Sequence, residues 1–459
     1  MERKTSVRLL LHGGDSMLGR AVQLTFPNQA VDEERLSDTT TALNYLSLAL
    51  HRSRDALLDG AALARIREAN VDGSYLWGDF FEQLEIVPPP DARILNLETA
   101  VTETVSNKDV PNKGINYHFH VKNIPLAFRR FAAVTLQGAS GGLEMARHLV
   151  PYVVSMANNH AMDFGRRAFD RETLPARSMF PGDSHLIGIG ETLRQARQSV
   201  AHVSVPGCQR GITVVAVTAE CAGTPYDWNA TSNRSGMICL PAITSPSAID
   251  ACVHMLKELF EANRILSPVE RTRDDDLLVL SIHWGPNWAF RYTDDLDYQR
   301  CRQLLAHRIV RDLGVDLIYG HSSHHIRGLE LFDGKLIIYG AGDLVNDYEG
   351  FENPGDDAYC KLGALFVVDL DVDTANCRAL RLVPTTMFEL RLRRVSNSPT
   401  PRWRPRQQRV ELETDMATTL CQAINKYSRM DVGDHGTPLQ LRVVDEDACV
   451  PGGSILMYP

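Results

Sequence analysis

The chain has 459 residues, 44% hydrophobic and 23% charged, with a formal net charge of −9. That is the make-up of a soluble globular protein, and the lack of a basic run or an arginine–aromatic stripe argues against a nucleic-acid partner. No stretch approaches the ~20 apolar residues of a membrane-spanning helix, and the short polar start Met1–Ser6 lacks the apolar core of a secretory signal, so a cytoplasmic protein with no membrane partner is expected. The nine cysteines are scattered, without a C-x-x-C pair, which fits a reducing compartment and neither a disulfide framework nor a zinc–thiolate site.

Apolar runs of strand length recur at Val7–His12, Ile94–Leu97, Val153–Ala157, Ile212–Thr218, Leu277–Ile282, Leu317–Tyr319, Lys335–Tyr339 and Ala364–Leu370. Between several of them lie helical patterns, at Thr39–Arg54, Ala61–Ala69, around Glu144–Leu149, Ser247–Ala262 and Asp297–Leu313. Strands alternating with helices indicate a layered α/β fold. The pair of runs around Asp333-Gly334 reads instead as an antiparallel hairpin, so a mixed sheet is expected. Residues 1–395 read as the main domain. A Pro/Arg-rich linker follows at 396–409, and 410–459 form an appendage with a helix near Glu411–Ser428 and a strand near Leu439–Val444, too short to fold alone.

Five of the strand-like runs end in chemistry. They deliver Asp15 in a Gly-Gly-Asp turn, Glu98 in Asn-Leu-Glu, Asn158-Asn-His160 with Asp163 three residues on, His283 in His-Trp-Gly, and the imidazoles of His321-Ser-Ser-His-His325. Open α/β sheets hold their ligands at the C-terminal ends of their strands, so these groups point to one convergent metal site. Asp163 is spaced to orient His160 and fix its tautomer. Trp284 and Trp288 flank His283 and could form an aromatic wall for substrate or simply pack. Asp343 and Asp347 follow the next strand and read as turn formers more than as site residues.

In order, Gly-Asp-x-Met-x-Gly-Arg (Gly14–Arg20), Asn-Leu-Glu (Asn96–Glu98), Ala157–Gly165, His-Trp-Gly (His283–Gly285) and Gly-His-x-x-His (Gly320–His324) resemble the CapA family of poly-γ-glutamate capsule biosynthesis. That family is similar to the calcineurin-like metallophosphatases. The resemblance runs from Val7 to Leu370 and implies an α/β sandwich of mixed sheets flanked by helices. It implies metal ligation by Asp15, Glu98, Asn159, His283, His321 and His324, with His160 facing the reacting group. Where metallophosphatases carry Asp-x-His, this chain has Met17, a soft thioether, so one divalent ion is expected where two are usual. Calcium is favoured, and manganese and zinc also suit the donors.

The chain also resembles the lasso-peptide epimerases, which implies inversion at Cα of a C-terminal tryptophan in a precursor peptide partner. In that reading Asp15, His160, Asp163, His283 and His324 would move protons, and Trp284, Trp288 and His325 would contact the peptide. The alternatives that stay open are a metal-dependent phosphoester or amide hydrolase and an accessory protein of polymer biosynthesis.

Overall fold

Apolar residues alternating at period two bury both faces of a sheet, and here they build two sheets laid face to face. The computed structural model describes residues 4–30, 64, 67–68, 70, 73–77, 89–105, 110–129, 150–182, 184–272, 274–288, 296–346, 362–386, 389–394, 403–406, 414–432, 436–444 and 454–457. Among these, one sheet has nine strands. Ser6–Ser16, Ala92–Leu97, Tyr152–Ser155 and Ser184–Ile187 run parallel, and Leu362–Asp371 and Cys377–Thr386 continue it antiparallel on the far side of Ser6–Ser16. The other has seven strands, with Ile212–Ala219, Leu277–His283, Leu317–His321 and Lys335–Ile338 parallel. Leu329–Phe332 pairs antiparallel with Lys335–Ile338 across the expected Asp333-Gly334 turn. Both turn residues have positive φ, 50° and 79°, as a tight two-residue hairpin requires.

The alternation sets the layers. Leu9 and Leu11 join Ile94, Val153, Phe366, Val214 and Val279 in the core between the sheets, while Leu10 faces the opposite side. The outer face of the second sheet is covered by Pro246–Ala262 and Leu296–Leu313. Pro246–Ala262 starts where Ser245 accepts the Ala248 N–H at 3.2 Å, with Pro246 in its first turn. It buries Ile249, Cys252, Leu256 and Leu259 at helical spacing against that sheet. The result is an α/β sandwich of mixed sheets flanked by helices, as the sequence implied. The expected helices at Thr39–Arg54 and Glu144–Leu149 lie outside the described residues, as does nearly all of Ala61–Ala69.

The Gly-Gly-Asp segment is not the turn expected of it. Ser6–Ser16 runs straight through it as one strand, with a register shift between Leu11 and Asp15. Gly13 has φ +58°, and a Cβ on Gly14 would lie 2.1 Å from the Gly342 carbonyl oxygen, so only glycine lets the strand pass so close. Asp15 thereby stays in the sheet, paired with Asn96 on one side and Asp343 on the other.

Beyond the sandwich, Trp403–Arg406 lies within the Pro/Arg-rich segment and pairs antiparallel with Glu389–Arg394. The helix Thr414–Val432 buries Leu420, Ile424 and Tyr427 at its inner face, and Leu441–Val444 and Ser454–Met457 extend the first sheet beside Cys377–Thr386. No helix among the described residues is long and apolar enough to cross a membrane. Phe366 is fully buried between the two sheets, so Phe366→Ala should lower unfolding free energy by about 3–5 kcal/mol. Urea denaturation followed by circular dichroism measures it.

Candidate metal centre

Parallel strands all end on the same side, and the two sheets bring those ends together. Asp15, Asn96 and Asp343 are register neighbours in the first sheet, and His283 and His321 are neighbours in the second. The Tyr319 hydroxyl donates to the Gly13 carbonyl at 2.5 Å and ties one sheet to the other just beneath the cluster.

Asp15 sits at the centre. Its Oδ1 accepts from Asn96 Nδ2 at 2.7 Å and lies 3.6 Å from His283 Nδ1 and 3.7 Å from His321 Nδ1. Its Oδ2 accepts from the Ser322 N–H at 2.9 Å and lies 3.6 Å from His324 Nδ1. Asn159 Oδ1 is 3.0 Å from His283 Nε2, and Asn158 holds the preceding strand by donating to Asn96 Oδ1 at 3.1 Å. His324 Nδ1 pairs with Asp343 Oδ1 at 2.9 Å, and Asn346 donates to the other Asp343 oxygen at 2.7 Å. The ligand atoms form two overlapping groups, Asp15–His283–His321 and Asp15–His324–Asp343, with Asp15 in both.

Glu98 tests whether a cation belongs here. It is buried, its Oε1 lies 3.6 Å from His283 Nε2 and its Oε2 3.9 Å from His324 Nδ1, and neither oxygen has a hydrogen-bond partner. A buried carboxylate without a donor is costly, and a divalent cation among these ligands is the group that would satisfy it. The donor set fits a metal.

Burial sets the proton states. It pushes His321 and His160 down to about 3, in His160 against the pull of Asp163, and it also lowers His283. His324 goes the other way: burial would lower it, but the charges of Asp343, Glu98 and Asp15 push it up to about 10. Burial and then the charge of Asp15 hold Glu98 well above the usual carboxylate range. Asp15 is held below that range, since the adjacent His283 ring and the imidazoles of His324 and His321 outweigh its burial.

His160 stands beside this cluster with its partner in place. Its Nδ1 meets Asp163 Oδ2 at 2.5 Å, its ring stacks on Tyr117 at 3.8 Å, and its Nε2 faces Glu98 Oε1 at 3.9 Å. Asp163 also accepts from Lys113 Nζ at 2.7 Å and the Tyr117 N–H at 2.6 Å, and Lys113 reaches the Asn159 carbonyl as well. Trp288 stacks over His324 at 5.2 Å, at the rim of the cluster.

Asp15, Glu98, Asn159, His160, Asp163, His283, His321 and His324 therefore converge. Two expected substrate contacts do not. Trp284 is fully buried, stacked on Tyr339 with its indole N–H given to the Tyr339 carbonyl at 3.0 Å, so it is core. His325 turns its Nδ1 to the Ser323 carbonyl at 2.7 Å and its ring edge to Tyr427, away from the ligands. Asp343, read as a turn former, belongs to the site. It follows an apolar strand as the other ligands do, and that position was the signal for it. Asp347 lies outside the described residues. Met17 is buried, with its N–H donated to the Val345 carbonyl at 2.8 Å. Lys113 and Tyr117 sit in no motif, and nothing local marks them.

Carboxylate, amide and imidazole groups gathered at the strand ends of a two-sheet sandwich make a candidate site for a divalent metal. Residues 9–348 match the family described as bacterial capsule synthesis protein PGA_cap, and the chain belongs to that family. It is 30% identical over 402 residues to a probable polyglutamine synthesis accessory protein of Mycobacterium tuberculosis, covering 87% of this chain and 90% of that one. It is 26% identical over 207 residues to the PGA biosynthesis protein CapA of Bacillus subtilis, 45% of each chain. Among solved structures, a phosphatase from Mycoplasma pneumoniae aligns with 83% of this chain and 94% of its own, at 10% identity and a TM-score of 0.34.

Glu98→Gln should raise the melting temperature of the ion-free protein at neutral pH, because burial makes the Glu98 carboxyl take up a proton on folding and an amide carries no such cost. The same variant should lose the stabilisation that wild type gains from added divalent ions. Thermal melts with and without chelator check both halves. His325, held at about 4 by burial, is neutral in the fold while the unfolded chain protonates near 6.5. The unfolded state therefore binds more protons below pH 6.5, and this histidine costs stability there. His325→Gln should thus gain on wild type by about 2 kcal/mol between pH 7.5 and 5, read from paired urea titrations.

Proposed function

We propose that this chain is a divalent-metal-dependent hydrolase that cuts an amide or phosphoester bond in the making of a glutamyl polymer. The observation that carries metal dependence is Glu98, buried with neither oxygen paired, facing the imidazoles of His283 and His324. The substrate class is supported by the family description and by the names of the Mycobacterium tuberculosis and Bacillus subtilis relatives, which refer to polyglutamine and PGA synthesis. Membership in polymer synthesis also accommodates an accessory role without turnover.

Asp15, Glu98, Asn159, His283 and His321 would hold the ion, with the His324–Asp343 pair beside it. Imidazoles beside oxygen donors favour manganese or zinc over calcium. We assign one ion, to the Asp15–His283–His321 group, because His324 and Asp343 are already engaged with each other. Bound there, a divalent ion would lower the pKa of a water and stabilise negative charge developing on the reacting group. His160 takes or returns the proton: the Asp163 contact at Nδ1 fixes its tautomer and leaves Nε2 turned toward the cluster. Lys113 holds Asp163 and the Asn159 backbone in register with it. Trp288 supplies an apolar rim over His324.

A second reading is favoured by one feature. The pairs His160–Asp163 and His324–Asp343 address the two oxygens of Glu98, each from 3.9 Å. Paired imidazole–carboxylate groups flanking one centre also suit proton removal and return at a peptide Cα, the chemistry of a lasso-type epimerase.

The manganese- or zinc-loaded protein is offered a poly-γ-glutamyl peptide, a generic phosphoester and a lasso-type precursor peptide, the last in D₂O. We expect cleavage of one of the first two, reduced ~10²-fold or more in His160→Ala. Deuterium gained at Cα without cleavage would transfer the chain to the epimerases. No turnover of any of them at full metal loading would leave the accessory role.

A further inference from the structure

The loop that carries His321 and His324 is strained. Ser322 has φ 101° and His324 φ 56°, the left-handed region that residues with a Cβ avoid. Such conformations persist only where the surroundings hold them. Part of the hold is local: the Ser322 hydroxyl donates to the Gly285 carbonyl at 2.9 Å and the Ser323 hydroxyl to the His325 carbonyl at 2.7 Å.

The rest comes from the far end of the chain. Asp431, in the last turn of Thr414–Val432, takes Arg327 Nη2 at 2.8 Å and Arg302 Nη2 at 2.6 Å on one oxygen, and the Gly328 N–H at 2.7 Å on the other. All three side chains are buried. The helix lies directly on the loop's exit, since a Cβ on Gly328 would be 2.7 Å from the Tyr427 carbonyl oxygen and 2.8 Å from Asp431 Cβ. Tyr427 also meets the His325 ring edge-on at 5.6 Å. Removing the Asp431 charge would leave two buried guanidinium groups with their shared counter-charge gone. The family match ends at residue 348, so this helix lies beyond it.

We infer that Asp431 is a positioning residue for the metal centre, holding the 321–325 loop in its ligand-presenting conformation through Arg327, Arg302 and the Gly328 N–H. The inference rests on reading His321 as a ligand and the His324–Asp343 pair as its neighbour in the site. A plain tertiary staple would stabilise the fold without changing the histidines, and Ser428 provides that control. Its hydroxyl accepts the Leu329 N–H at 3.0 Å from the same helix, but it contacts the strand beyond the loop.

The experiment compares wild type, Asp431→Asn, Ser428→Ala and Arg327→Lys in the full chain. It reads melting temperature, manganese affinity by calorimetry, and the His324 ring signals of ¹⁵N-histidine-labelled, ion-free protein, assigned with His324→Gln. In Asp431→Asn we expect manganese binding weakened roughly 10-fold or more and the low-field Nδ1–H signal of the His324–Asp343 pair shifted or lost. Arg327→Lys, which keeps the charge but not the fork, should move both in the same direction to a smaller extent. Ser428→Ala should lower the melting temperature alone. Unchanged His324 signals and manganese affinity in Asp431→Asn and Arg327→Lys would overturn the inference. Wild type that binds no manganese or zinc would sink the proposed function instead, and the ion-free His324 signals would still decide the role of Asp431.

Discussion

Carboxylates shut away from water must find a counter-charge or a donor, and Asp15, Glu98 and Asp343 are all buried in one cluster. Asp15 solves this with Asn96, the Ser322 N–H and imidazoles, and Asp343 with His324 and Asn346. Glu98 has no donor of its own. The sheets, the glycines that let Ser6–Ser16 pass close to Gly342, and the strained 321–325 loop all serve to keep these groups within reach of one another. A cation would complete the arrangement, and without one Glu98 is the least satisfied group in the cluster.

The same burial divides the histidines into roles. His321, His283 and His160 are held neutral, which suits a ligand or a proton acceptor, whereas His324 is held cationic by the carboxylates around it. A cation at the centre would compete with the proton on His324 for those carboxylates, so metal and proton occupancy are linked. His160 stands apart from this competition because its own carboxylate, Asp163, is engaged by Lys113 and the Tyr117 N–H.

Behind the cluster, residues with every appearance of site chemistry serve packing. Trp284 and Tyr339 stack, Arg302 lies over the Tyr339 ring at 5.0 Å, and the Tyr339 hydroxyl donates to the buried Glu330 at 2.7 Å. This layer joins the His283 and His321 strands to the C-terminal helix through Asp431. The appendage is thereby part of the support for the site.

Much of this was legible from local pattern. Period-two alternation and strand length reveal which runs are buried, and the residue that ends each run follows by counting, so local sequence alone gathers Asp15, Glu98, Asn159, His160, His283, His321 and His324. The spacing of Asp163 from His160 is equally local. What only the tertiary structure decided is which strand ends meet and which side chains turn inward. Asp343 joins the site because its strand pairs in register with Asp15 from far along the chain, and a register is a property of two strands, not one. Trp284 and His325 sit within one residue of site histidines yet point away, since successive residues of a strand alternate faces and a positive-φ loop redirects the chain. Lys113, Tyr117 and Asp431 arrive from segments with no motif, brought by packing alone.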